Sequence, residues 1–155
     1  MMRRSPQLAS VVVANDLSLK ALNMTHRWLL RLTGGRVGWR AGQMSALELT
    51  TTGRRTGQPR SVMLTSPVQE GETWVIVASR GGNDHHPAWF LNLRDHPDVK
   101  VSRENRPNQQ MRARIATPHE RARLWPQVTA TYKGYAEYQQ KTSREIPLVL
   151  LEPQH

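Results

Sequence analysis

"LTTTGRRTGQPRSV", residues 49–62, decides how the chain folds. Before it, apolar and polar residues alternate over 46–52, the period-two signature of a half-buried strand. Residues 53–59 then supply two glycines and a proline, the chemistry of a turn, and 60–67 read as a returning strand. The stretch is therefore a β-hairpin, and the sheet it starts is antiparallel. The same turn gathers anion-seeking groups: Arg54, Arg55 and Arg60 beside the hydroxyls of Thr56 and of the run Thr50-Thr51-Thr52. Guanidinium forks match phosphate and carboxylate geometry. Taken alone, the segment reads slightly better as a solvated hairpin tip.

Working outward, residues 69–72 form the turn of a second hairpin, and "TWVIVAS" (73–79) is a β-branched, almost continuously apolar strand, as expected of a buried central one. A short helix is predicted over 87–93, with Pro87 in the first turn, where a missing N–H costs nothing. Two further strands are predicted over 98–102 and 110–116, joined by a polar loop at 103–109. Thr117-Pro118-His119-Glu120 is a helix start, a threonine cap with glutamate three residues on, opening a helix to about Thr131. A short helical stretch at 135–141 and a strand at 146–151 close the chain. Upstream, apolar residues between Leu17 and Leu32 fall on a helical stripe that stops at Gly34-Gly35. About six strands in hairpins with flanking helices predict an α+β domain around a small antiparallel barrel.

The chain has 155 residues, enough for one core, and a net charge of +10, with arginine outnumbering lysine. Such a field favours an anionic partner without choosing among nucleic acid, membrane surface and small polyanion. There is no cysteine, which removes disulfides, thiolate metal sites and dithiol redox chemistry, so any redox reaction must use a borrowed cofactor. No apolar run approaches a membrane span, and the basic start and short apolar patch at residues 8–14 lack a convincing cleavage site. A cytoplasmic protein is expected; the basic neighbours of the first helix permit contact with the inner face of a membrane.

Chemistry concentrates in two more places. In "VASRGGNDHHPAWFLN" (77–92) a buried strand runs into Ser79, Arg80, Gly81 and Gly82 and then into a helix start, an arrangement that offers backbone N–H groups to an anion. Trp89 and Asn92 share a face of that helix and could stack on a ring and bond its edge, although a lone tryptophan is more often core. The protein's three tyrosines, Tyr132, Tyr135 and Tyr138, recur at spacing three; they suit half-buried packing or a pocket wall that donates to a substrate oxygen. His85 and His86 are adjacent rather than at ligand spacing, so no metal site is expected. No serine sits in a nucleophile elbow.

Taken together, "RLTGGRVG" (31–38), "LTTTGRRTGQPR" (49–60), "VASRGGNDHHPAWFLNL" (77–93), "ARIATPHERARLWPQV" (113–128) and "YKGYAEYQQKTSREIPLVLLEP" (132–153) resemble the deazaflavin-dependent nitroreductase family, split β-barrel proteins that use coenzyme F420. The resemblance spans residues 25–153 and sets 1–24 apart as an extension. It implies that Arg54, Arg55, Thr56 and Arg60 meet the coenzyme's phosphate and oligoglutamate tail. By the same resemblance Ser61, Val62, Met63, Leu64, Val77 and Ala78 lie along the ring, and Ser79, Arg80 and Gly81 complete the contacts. Trp89 and Asn92 hold the ring's edge. It also implies hydride transfer to a quinone-like acceptor or a nitroaromatic, with Tyr132 and Ser79 near the chemistry and Tyr135 and Tyr138 lining the substrate pocket. The chain departs from the family pattern in the returning strand, where nitroimidazole reducers carry a proline and an aromatic and this chain has Ser61-Val62-Met63-Leu64-Thr65, and at Arg55 and Arg80, where lysine is common.

Two alternatives remain at this stage. One is a flavin mononucleotide reductase of the wider group of FMN-binding split barrels; the other is a protein that binds without catalysis. Nucleic acid is the weaker partner, because the tyrosines and arginines are segregated rather than interleaved. The oligomeric state is not legible in the composition.

Overall fold

The computed structural model describes residues 40–41 and 44–154. The predicted helix between Leu17 and Leu32, the proposed 1–24 extension and the motif at 31–38 lie outside the described residues.

The opening hairpin is present as read. Strand β2 (Met44–Thr52) pairs antiparallel with β3 (Pro59–Ser66) in an unbroken register from Thr52↔Pro59 to Ser45↔Ser66. Alternation gives its two faces. Leu47 and Leu49 lie inward opposite Leu64 and Val62, while the hydroxyls of Thr50 and Ser61 bond across the outer face at 2.8 Å. The two-residue strand β1 (Arg40–Ala41) pairs with the start of β2, and β6 (Asp98–Arg103) pairs with the edge of β2 opposite β3. From β6 the sheet continues through β7 (Arg106–Ile115), β8 (Leu148–Pro153), β5 (Thr73–Val77) and β4 (Val68–Glu70).

The sheet curls until its ends approach. Only Pro67 separates β3 from β4, and Ser66 Oγ lies 2.7 Å from Val75 O and 3.0 Å from Val68 O, tying the corner. This is a split barrel with an inside and an outside core. Inside, Leu47, Leu49, Ile76, Val101, Met111 and Leu151 meet Phe90 and Leu93 of helix α1 (Ala88–Asp95), which plugs the barrel. Outside, Val75, Val77, Leu148 and Leu150 are covered by helix α2 (Pro118–Thr131) through Leu124 and Val128, and by helix α3 (Gly134–Gln140) through Tyr135. Strand β5 is covered on both faces, which is why its sequence shows no alternation. Each fully buried leucine or isoleucine contributes roughly 1.5–3 kcal/mol.

Four expectations are corrected. Among the described residues there are eight strands rather than about six, the additions being β1 and β4. The polar loop at 103–109 is a two-residue turn, with Asn105 in the left-handed region (φ 63°) and Arg103 paired with Arg106. Pro87 is the N-cap of α1 rather than its first helical residue. The last strand starts at Leu148, because Pro147 has no N–H to give a ladder; its carbonyl accepts from Ala78 N–H at 3.0 Å.

Candidate active site

The tip of the first hairpin is closed by Gly57 N–H to Gly53 O and Gly53 N–H to Gln58 O, both 2.8 Å. A Cβ on Gly53 would come within 2.9 Å of Thr56 Oγ1, so the turn is this tight only with glycine there. Arg55, Thr56 and Arg60 are exposed on it and Arg54 is half-buried. Asn92 of α1 fastens the tip to the barrel. Its Oδ1 accepts from Arg54 N–H and its Nδ2 donates to Thr51 Oγ1, both at 3.1 Å, with the residue 5% exposed. Asn92, expected at the ring's edge, makes these two internal bonds in the structure.

The second turn begins where β5 leaves the sheet. Ser79 is buried, and Arg80, Gly81 and Gly82 follow in the left-handed region at φ 45°, 63° and 86°. Gly82 is required twice over, since a Cβ there would also lie 2.8 Å from Tyr138 O of α3. A residue that sequence reasoning passed over holds this turn. Arg144, in the connection from α3 to β8, uses all five guanidinium hydrogens. Nε donates to Asn83 O (2.8 Å), Nη2 to Ser79 O (2.9 Å) and Ala78 O (3.2 Å), and Nη1 to Ala78 O and His86 Nδ1 (both 3.2 Å). His86 must therefore accept at Nδ1 and be neutral. Burial, then the charges of Arg144 and Arg94, push its pKa down. Thr142 adds a bond to Asp84 at 2.8 Å. The sequence signal for Arg144 was faint, because its partners lie 58 to 66 positions away.

The three tyrosines meet without forming one helical stripe. Tyr132 is the C-cap of α2, whereas Tyr135 and Tyr138 ride on α3, and the rings pack edge to face at 5.1, 6.2 and 6.4 Å. Tyr135 is buried and its hydroxyl bonds to Thr65 of β3 at 3.2 Å; burial pushes its pKa up. The hydrogen bond with Tyr132, then burial, push Tyr138 up to about 12. Tyr132 is 41% exposed.

These parts form one circuit. The hairpin tip is bonded to α1, α1 follows the second turn, that turn packs on α3, and α3 is bonded through Tyr135 to the far end of β3. The outer face of β3, with Ser61, Met63 and Thr65, runs from the arginines to the tyrosines over about 17 Å. Val62 and Leu64 are half-buried and pack against the barrel core, and the side chains of Val77 and Ala78 are buried. Trp89 is half-buried against the barrel core and meets Phe90 edge to face at 6.4 Å.

A cavity of about 380 Å³ opens at the opposite end of the barrel, lined by Ser45, Trp74, Arg103, Arg106, Glu72 and Glu104 among others. Its two cations are balanced by its two carboxylates, and it lies about 20 Å along β2 from the arginine tip. It offers no net attraction to an anion. Among the described residues no cluster of three or more metal-ligating side chains occurs, and no helix is long and apolar enough to cross a membrane.

The described residues form a split barrel that carries two arginine-bearing turns and a tyrosine cluster at the two ends of one strand. The chain belongs to the F420H(2)-dependent quinone reductase family, whose model matches residues 22–153. It is 39% identical over 130 residues to an F420H(2)-dependent quinone reductase of Mycobacterium tuberculosis (strain ATCC 25618 / H37Rv), covering 81% of this chain and 86% of that one. Two solved structures are similar. One, described as a domain-swapped dimer, has a TM-score of 0.66 and 34% identity, covering 83% of this chain and 94% of the other. The second, an F420-H2 dependent reductase, has a TM-score of 0.61 and 37% identity, covering 69% and 93%. The chain is an oxidoreductase of that family, with coenzyme F420 as its cofactor.

Proposed function

We propose that the protein reduces a quinone with electrons from F420H2 in the groove along β3. When bound, the reduced coenzyme supplies a hydride. The donor set fits such a molecule: Arg54, Arg55, Thr56 and Arg60 meet a phosphodiester and a carboxylate-rich tail, and no acidic side chain lies between residues 49 and 83 on β3 or on either turn. Ser61 and the edge of the buried Met63 lie along the outer face of β3, and Ser79, Arg80, Gly81 and Trp89 border it from the second turn and α1. Tyr132, exposed and packed edge to face on Tyr138, supplies a hydroxyl proton to the acceptor oxygen as negative charge develops there. Tyr135 and Tyr138 wall the acceptor side. The protein contributes proximity and electrostatics rather than a nucleophile.

One observation carries this reading: exposed guanidiniums at one end of β3 and an edge-packed tyrosine cluster, bonded to Thr65, at the other. Titrating the protein with oxidised F420 and, separately, with flavin mononucleotide, then measuring menadione reduction by F420H2, tests it. Tight binding of the deazaflavin and turnover are expected. Binding of the flavin alone would move the protein to the flavin group of split barrels, and binding without turnover would make it a carrier. Because a similar chain is described as a domain-swapped dimer, a dimer is expected in solution, with light scattering as the check.

A further inference from the structure

We infer that Arg144 is a positioning residue for coenzyme binding: by holding the carbonyls of Ala78, Ser79 and Asn83, it presents the second turn to the coenzyme. The role rests on the groove along β3 being the F420 site.

Three features of the geometry support it. The guanidinium's five hydrogens all reach acceptors, three different carbonyls among them, so the side chain fixes peptide planes rather than a neighbouring charge. No peptide bond in the described chain is cis, and in a trans peptide the N–H points opposite to the C=O. Drawing the Ala78 and Ser79 carbonyls toward Arg144 therefore turns the amides of Ser79 and Arg80 to the other side of the turn. Finally, the turn passes through three consecutive left-handed residues, of which Arg80 carries a Cβ. Such a backbone holds its form only when its surroundings over-determine it, and Arg144 is the largest set of bonds made to it.

The frame behind Arg144 is as firmly built as the grip in front. Its own carbonyl accepts from Gln139 Nε2 at 2.8 Å, and Gln139 Oε1 accepts from Ile146 N–H at 2.9 Å and from Arg121 Nη2 at 3.2 Å. His86 Nδ1 orients the guanidinium from the side of α1, with its ring packed on Phe90 at 4.6 Å. Lysine could not reproduce this grip, since three hydrogens on one nitrogen cannot span carbonyls separated by a turn.

The test uses the full chain and Arg144→Lys, with Arg144→Ala and His86→Ala beside it. In Arg144→Lys the Kd for oxidised F420 and the KM for F420H2 are expected to rise about tenfold or more. At saturating F420H2, kcat and the KM for menadione stay within about twofold, and amide hydrogen exchange at residues 79–83 accelerates. Millimolar guanidinium, but not the same concentration of ammonium, restores affinity to Arg144→Ala. His86→Ala moves Kd in the same direction by less, and it serves if the Arg144 variants fail to fold. Unchanged Kd and unchanged exchange in folded variants would overturn the role alone. Failure of the unaltered protein to bind F420 would overturn the site assignment and this role with it.

Discussion

At the scale of single residues, the hairpin arginines and the tyrosine pair separate binding from turnover. Arg55 is exposed at the tip, where its side chain gains most from an anionic tail. Arg55→Ala should weaken F420 by roughly 1.5–3 kcal/mol, the worth of a charge-assisted hydrogen bond, read by fluorescence titration. Tyr132→Phe removes the proton aimed at the acceptor and leaves the tip untouched. Its kcat with menadione should fall while the Kd for F420 stays nearly constant, and unchanged turnover would remove Tyr132 from the mechanism. His86 adds a pH dependence. Burial and the neighbouring Arg144 and Arg94 hold its folded pKa below the ordinary 6.5, so the unfolded chain binds the extra proton first and stability declines as pH drops below about 6.5. His86→Gln should flatten that part of a melting-temperature profile.

At the scale of elements, α2 offers the clearest test because its start is built twice over. Thr117 Oγ1 accepts from Glu120 N–H while the Glu120 carboxylate accepts from Thr117 N–H and pairs with both Nη groups of Arg114 at 2.6 and 2.9 Å. Those bonds, Arg114 first, lower the Glu120 pKa to about 2 from 4.5. The stabilisation is complete above about pH 4.5 and disappears as the pH falls toward 2, so the melting temperatures of the unaltered protein and Glu120→Gln should converge in that window. Thr117→Ala should cost about 1 kcal/mol at neutral pH. This cap was legible because it is local, four consecutive residues. The β6–β7 hairpin was legible as two strands, but its tight turn and the first residues of β7 were not. From Arg106 to Gln110 the strand is exposed or half-exposed, so no apolar row marks it, and only Asn105 shows where the chain reverses. The tyrosines were legible as a group and misread as a stripe. Gly134 lets the Tyr132 ring fold back over the start of α3, since a Cβ there would strike that ring. Asn92 and Arg144 escaped correct reading for one reason: their partners lie 38 or more positions away, and only the closed barrel brings them together.

At the scale of the whole molecule, the formal charge of +10 becomes informative once its distribution is known. Several cations are matched by acids: Arg114 with Glu120 and Glu152, Arg123 with Glu70, Arg121 with Glu145, Arg106 with Glu72. Among the described residues Arg54, Arg55 and Arg60 form no ion pair, and all three lie on the one hairpin tip. Residues 1–43 carry +6 of that formal charge and residues 44–154 carry +4, so within the described residues the three tip arginines form a local positive cluster rather than the whole of the field. Screening supplies the check, because the Debye length shrinks from about 10 Å at 0.1 M salt to about 3 Å at 1 M. If exposed guanidiniums hold a multiply charged tail, the Kd for F420 should rise about tenfold or more over that range in sodium chloride, while the KM for uncharged menadione changes little. Arg54→Ala combined with Arg55→Ala should flatten the salt dependence as well as weaken binding. An affinity indifferent to salt would mean that the ring, held by the β3 groove, supplies the binding energy, and that the arginines of the opening hairpin serve another partner.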